Sequence, residues 1–494
     1  MSVSFPSYCL QGLTAIPVQV EVGVSPGMPI FSIIGMAGTS VQESKDRVRS
    51  AITSSGFSFP LTRKVVNLAP AEVIKHGSHF DLPMAIGFLL ASGQLSEAEG
   101  WMLGELGLNG VLRPVSGLVP ALLLARENGV KEVVLPEENL AEAGLVEGLT
   151  YYGARNLRDV VGHFCGQKLL PWEDRYDWQA LAASVDFADI SGQTAAKRAL
   201  LVAAAGGHHV LMSGPPGSGK SLLGEAFRSI LPPLSKDELL DVLRIHSVAG
   251  RNMQHLSLNR PFRMVHSRAS RHSLLGGGAD LAPGEISLAH RGVLFMDEFP
   301  EFEREALESL REPLEAKELS MRVGKRSSVF PCQFQLIATM NPCPCGYYGD
   351  REKPCTCTAA QVARYQNKVS GPLLDRIDLH INVPRLPYEE FKLSALESSA
   401  SLQGRVMEAR ERQRARLSPH GLCTNQEMTA KLLKGERLDL KTEELLKSAT
   451  KHHSLSGRAL HRIIKVARTI ADLDAKEHIE SGHLMEALQY RVKA

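Results

Sequence analysis

Cysteine is scarce in this sequence, and no apolar run is long. Eight cysteines in 494 residues are too few for a secreted disulfide scaffold. No uninterrupted apolar stretch reaches the roughly 18 residues that suggest a membrane span. The opening MSVSFPSYCLQGL has neither a basic start nor a long apolar core, so it does not read as a secretory signal. Internal repeats, low-complexity tracts and an excess of glycine or proline are all missing. Apolar residues make up 44% and charged residues 22%, which excludes wholesale disorder. A cytoplasmic protein of about two to four domains, with no membrane partner, is expected.

Acidic residues are missing from two stretches. Val242 to Ala279 contains Arg244, Arg251, Arg260, Arg263, Arg268 and Arg271 and no acid, and Leu319 to Gly349 contains Arg322, Lys325 and Arg326 and no acid. Residues 1–165 carry 11 Lys and Arg against 15 Asp and Glu, so the formal +2 of the whole chain divides into −4 and +6. Such a basic second part suits either a polyanion partner or an ordinary solvated surface.

Alternation of short β-rich runs (PVQVEVGV, FSIIGM, KVVNLAP, KEVVLP) with helical patterns (LPMAIGFLLASG, LVPALLLARENG) predicts an α/β domain over 1–165. A less periodic, proline- and tryptophan-marked stretch, 166–185, reads as a linker. Residues 186–394 hold apolar strands (HHVLMSG, GVLFMDE, FQLIATMN) between helices, the pattern of a parallel sheet covered on both faces. Residues 395–494 read as helices.

The chemistry sits in the middle part. Gly214-Pro215-Pro216-Gly217-Ser218-Gly219-Lys220-Ser221 fits G-x-x-x-x-G-K-[ST], after an apolar strand and before a helix. Its glycines let backbone N–H groups close around phosphates, Lys220 reaches the β and γ oxygens, and the Ser221 hydroxyl suits Mg²⁺. Roughly 70 residues on, the strand VLFM ends in Asp297 and Glu298. These supply a second anchor for the metal and a base for the attacking water. Asn341 closes a further strand, where its amide suits orientation of the water or the γ-phosphate. Cys343-x-Cys345-x9-Cys355-x-Cys357 offers four thiolates to one tetrahedral Zn²⁺. No histidine has partners at ligand spacing, and His208-His209 reads as structural.

Together, PGEISLAHRGVLFMDEFPEF, IATMNPCPCG and LLDRIDLH resemble the ComM (YifB-type) magnesium-chelatase-like AAA+ family over essentially the whole chain. The resemblance implies an AAA+ P-loop core with a C-terminal helical lid, using ATP and Mg²⁺. It makes Asn341 sensor 1, Arg376 an arginine finger acting on a neighbouring subunit, and Arg458 sensor 2. It assigns Gly276 to His290 to a helix-2 insertion and Met321 to Phe334 to a hairpin. Both would face a ring's pore, with Arg322, Lys325 and Arg326 contacting DNA. One departure is MVHSRASRHSLLGGG, where the family commonly has a double histidine. The N-terminal part, through GELGLNGVLRPVSGLVPALLLARENGVKEVVLP, resembles the Lon-protease-like fold. The Lon dyad positions fall near Asp81 and on Val119, and valine cannot act as a general base. A proteolytically inactive assembly module is therefore expected.

As a whole the resemblance implies a hexameric branch-migration helicase acting on single-stranded and branched DNA in natural transformation and recombination. The competing readings are a chelatase motor subunit inserting Mg²⁺ into a porphyrin, disfavoured by the Lon-like front domain, and a non-motor AAA+ scaffold or chaperone.

Overall fold

The computed structural model describes residues 2–173, 185–250, 257–278, 281–324, 326–350, 352–387, 397–452 and 455–491. The chain opens with β1 (Ser2–Gln11), β2 (Thr14–Ser25), β3 (Phe31–Ile34) and β4 (Arg63–Ala69), in sheet order β1-β2-β4-β3. Only the β3–β4 pair is parallel. Along β2, Val18, Val20 and Val22 are buried while Gln19 and Glu21 are exposed, the period of two that one covered face imposes. The helix Asp81–Ala91, buried along nearly its whole length, packs against β1 and β2.

Next come β5 (Trp101–Met102), the short hairpin β6 (Glu105–Leu106) and β7 (Leu112–Arg113), and then β8 (Glu132–Pro136) and β9 (Thr150–Ala154). Strands β5, β8 and β9 form a second, parallel sheet. Trp172, within the stretch expected to be a linker, donates its backbone N–H to Tyr151 O at 2.8 Å. That end therefore adheres to the N-terminal sheet. Linker residues 174–184 lie outside the described residues.

The second part is built on β10 (Val210–Ser213), β11 (Phe262–Val265), β14 (Val293–Met296), β17 (Gln335–Met340) and β18 (Leu379–Asn382). They form one parallel sheet in the order β11-β14-β17-β10-β18. All four residues of β14 are buried, as a strand covered on both faces requires. Two small hairpins interrupt it: β12 (Gly276–Gly277) with β13 (Ala282–Pro283), and β15 (Glu318–Val323) with β16 (Arg326–Pro331).

Helices follow, chiefly Ser399–Leu417, Leu440–His452, Gly457–Leu473 and Ser481–Gln489. Gly457–Leu473 starts at Ser456, whose hydroxyl accepts the Ala459 N–H, a favourable cap. Its apolar face, Ile463, Val466, Ala467 and Ile470, joins one core with the helix Thr194–Gly206 and the sheet.

Among the described residues, the N-terminal part is fastened to the P-loop part at two places. The helix Leu118–Glu127 shares an apolar cluster with Leu239, Val242 and Leu243 of the helix Lys236–Val248, and Gly117 N–H donates to Ser247 O at 2.9 Å. The β1–β2 turn lies on the β15–β16 hairpin, where Leu13 is buried with Leu319, Met321 and Phe330. Gly12 (φ +59) is so close that a Cβ there would lie 1.7 Å from Ser328 Oγ.

Candidate nucleotide site and cysteine cluster

The P-loop connects β10 to the helix Lys220–Ala226. Gly214 passes so near the end of β18 that a Cβ on it would meet Val383 O at 2.1 Å. Lys220 is buried, and its Nζ donates to the Gly214 and Pro215 carbonyls, each at 2.8 Å. Burial pulls its ammonium below the usual lysine value while Asp297 opposes the shift. Asn341 Oδ1 lies 3.4 Å from the same Nζ. Ser221 Oγ donates to Asp297 Oδ2 at 2.8 Å. The structure thus brings Lys220, Ser221, Asp297 and Asn341 to adjacent strand ends. The facing hydroxyl and carboxylate are hard oxygen donors of the kind Mg²⁺ takes.

Glu298 is exposed beside them, with a left-handed backbone (φ 53). Its N–H contacts Asp297 Oδ1 at 3.1 Å and Thr339 Oγ1 at 3.2 Å, while the Thr339 hydroxyl also donates to Asp297. Sequence reasoning missed Thr339. The available signal was its spacing of two from Asn341, the residue that directly follows β17. Gln193 was missed too. Its Nε2 donates to Ser218 O at 3.2 Å and to Pro384 O at 2.7 Å, and nothing local in the sequence announces that.

Arg376 and Arg458 share one partner. Arg376 is buried and pairs with Glu315, and Arg458, largely exposed, approaches Glu315 Oε1 at 3.5 Å. Arg462 ties the same segment to the helical part, donating to Asp378 at 2.6 Å and to Arg376 O at 2.5 Å.

The four cysteine Sγ atoms lie within 4.8 Å of one another. Separations of 3.3 Å (Cys343–Cys345), 3.7 Å (Cys343–Cys355) and 3.6 Å (Cys345–Cys355) suit a tetrahedral ion with metal–sulfur bonds of about 2.3 Å. Tyr348 N–H points at Cys343 Sγ (3.3 Å) and Cys357 N–H at Cys355 Sγ (3.4 Å). Backbone N–H groups of Tyr347 and Thr356 draw the Cys345 thiol down, while at Cys355 and Cys357 the backbone contacts are outweighed by burial and the neighbouring thiols, which push both up. Four cysteines in this arrangement are able to hold a metal ion.

Of the basic residues expected at DNA, Arg322 and Arg326 lie on the β15–β16 hairpin, and Lys325 lies outside the described residues. Asp81 is fully buried and accepts from Arg47 at 2.7 and 3.1 Å and from Leu106 N–H at 3.2 Å. Val119 is buried in the apolar cluster. His208 and His209 are spent internally, on Thr469 Oγ1 (2.8 Å) and Leu336 N–H (3.0 Å). Among the described residues no helix is long and apolar enough to cross a membrane.

Three family models match along the chain. Residues 20–139 match the subunit ChlI of Mg-chelatase, 186–391 the magnesium chelatase subunit ChlI, and 396–491 its C-terminal segment. Two relatives are YifB of Escherichia coli and the competence protein ComM of Haemophilus influenzae. Each is 40% identical, over 97% of this chain and 95% of the relative. The chain belongs to the YifB/ComM family of magnesium-chelatase-like AAA+ proteins. Membership implies ATP and Mg²⁺ as ligands. In this YifB/ComM-family chain a partial likeness to Lon protease is also present, 26% identity to the Lachnoclostridium phytofermentans enzyme over 30% of this chain and 20% of that one.

Proposed function

We propose that the chain is an Mg-ATP-driven motor on DNA that works as a ring, a hexamer by family likeness, and promotes branch migration in natural transformation and recombination. The observation that carries the motor part is the meeting of Lys220, Ser221, Asp297 and Asn341 at neighbouring strand ends. The DNA part rests on likeness to the competence protein ComM along nearly the full length of both chains.

In this reading Gly214 to Ser221 cradle the phosphates, and Ser221 and Asp297 hold Mg²⁺, which when bound neutralises charge between the β and γ oxygens. Glu298 accepts a proton from the attacking water, Asn341 orients that water, and Lys220 balances charge at the γ-phosphate. Arg376, which pairs with Glu315, serves the nucleotide of an adjacent subunit as an arginine finger, and Arg458, at the same glutamate, acts as sensor 2. Arg322, Lys325 and Arg326 meet the phosphate backbone. Residues 1–165 act as an inactive Lon-like assembly module, 186–394 as the motor core and 395–494 as the lid. Zn²⁺ bound by Cys343, Cys345, Cys355 and Cys357 has a closed shell with no position for water, and so is structural.

The chelatase reading has a specific observation in its favour. The model that matches residues 20–139 is itself described as a chelatase subunit, so the front domain does not separate the two readings. ATPase rate with no addition, single-stranded DNA, branched DNA or porphyrin does. Stimulation by branched DNA is expected, and stimulation by porphyrin alone overturns the DNA reading. Elemental analysis should find about one Zn per chain, and its absence from protein purified without chelator ends the zinc assignment.

A further inference from the structure

The P-loop is touched from outside by the cysteine loop. Gly346, within the CPCG run, has φ +85, and a Cβ on it would lie 2.5 Å from Pro216 Cδ and 2.6 Å from Pro216 Cγ. The loop backbone therefore rests directly on the P-loop's proline ring. Beside it, the Tyr347 ring carries the Lys353 ammonium at 4.2 Å and the Arg385 guanidinium at 5.2 Å. Arg385 Nε also reaches Asp350 Oδ2 at 3.5 Å.

Arg385 follows Pro384, whose carbonyl accepts from Gln193, and Gln193 in turn holds Ser218 O. The contacts close a circuit from Pro216 through Gly346, Tyr347, Arg385, Pro384 and Gln193 back to Ser218. At its root, Pro342 directly follows Asn341, and Gln366 Nε2 donates to Pro342 O at 3.1 Å. At Gly217 and Gly219 nothing among the described residues packs on the P-loop in the same way: a Cβ on either would meet nothing within 4 Å.

We propose that the four-cysteine loop is a positioning element of the nucleotide site: it presses the P-loop into its phosphate-receiving shape, so nucleotide affinity depends on the integrity of the loop. The proposal rests on the reading of Gly214 to Ser221 as a nucleotide site, and it is independent of DNA and of ring assembly. A metal on the four thiolates sets the stiffness of the brace, which makes occupancy of the cysteine cluster a control on ATP binding.

The test uses the full chain, a fluorescent ATP analogue titrated at equilibrium, and metal content measured on the same samples. Gly346→Ala is compared with Gly349→Ala. Gly349 has the same left-handed backbone (φ +78), yet a Cβ on it would meet nothing within 4 Å. Gly346→Ala should weaken nucleotide binding on the order of tenfold, the scale of a small misplacement in a binding site, with metal and melting temperature matching those of Gly349→Ala. Arg385→Ala, which leaves every cysteine and the P-loop intact, should weaken binding in the same direction. Stripping the metal from the wild type should do so too.

Wild-type affinity in Gly346→Ala and Arg385→Ala overturns the brace, as does weakened binding that tracks loss of melting temperature alone. Wild-type protein that binds no nucleotide overturns the site reading along with it. Wild-type protein without metal overturns only the role of occupancy, because the Gly346 and Arg385 arms do not need it.

Discussion

Glu298 occupies a conformation that non-glycine residues avoid, and its own neighbours hold it there. A left-handed residue costs of order 1 kcal/mol and persists only where the surroundings over-determine it, here through the Asp297 and Thr339 contacts to its N–H. Glu298→Gln keeps the shape and removes the base. ATP should bind with near-normal affinity and turn over at least about 10²-fold more slowly, whereas Lys220→Ala should weaken binding itself. Normal turnover by Glu298→Gln would reassign the catalytic strand. The P-loop and Asp297-Glu298 were legible because their chemistry is contiguous in sequence. Thr339 and Gln193 were not, because each acquires its role only when separate strand ends meet.

A second residue-scale prediction concerns Glu142, in the N-terminal part beside Ser247 of the helix Lys236–Val248. Burial raises its carboxyl to about 7, with the Ser247 and Asn139 side chains opposing the rise. An acid whose folded pKa is raised binds more protons folded than unfolded, so its stability contribution falls as pH climbs from about 4.5 to 7. Three buried imidazoles work oppositely: burial lowers His79 and His209 to about 4 and His290 to about 3. Stability from these groups is lost as pH falls below 6.5. The informative quantity is the difference between Glu142→Gln and wild type. It should be flat below about pH 4.5 and grow to ~3 kcal/mol in favour of the variant above pH 7, read from denaturant unfolding across pH. A difference independent of pH sinks the assignment.

Among the elements, those marked by a clean alternation, as in β2, or by a long apolar run, as in β14, β17 and the helix Asp81–Ala91, matched expectation. The strands the sequence did not announce sit at sheet edges. β1 carries Pro6, which an edge strand tolerates. β11 is four residues with mixed burial, so neither a clean alternation nor a continuous apolar run marks it, and β18 alternates but over four residues only, too short to stand out. The β15–β16 hairpin carries the element-scale prediction. Arg322→Ala with Arg326→Ala should lower single-stranded DNA affinity and flatten its salt dependence by about 0.7 in log K per decade of salt for each lost phosphate contact. Basal ATPase should survive. Unchanged affinity and slope would move the search to the arginines between Val242 and Ala279.

For the whole molecule, assembly is the property to test. Arg376→Ala and Glu298→Gln chains, each inactive alone, should regain ATPase when mixed, at interfaces pairing an intact arginine with an intact glutamate; arginine fingers contribute roughly 10³–10⁵ in rate. No recovery at any ratio, with mixed rings shown by native mass measurement, would exclude action between subunits. The N-terminal part should cleave no casein, and Asp81→Ala should not alter that background. The variant should instead lose about 3 kcal/mol of stability, because Arg47 is left partly buried without its bidentate carboxylate. Proteolysis abolished by Asp81→Ala would overturn the inactive-module reading.

The seating of the β1–β2 turn on the distant hairpin has a consequence for biosynthesis. Leu13 leaves the ribosome well before Phe330, which helps to bury it and is made more than 300 residues later. At about 5–20 residues per second, the turn waits roughly 15–60 s for its cover. During that interval the finished N-terminal sheet exposes an apolar tip. The turn and its cover therefore belong to different stages of synthesis, and Leu13 is buried by its own chain only once the hairpin is made.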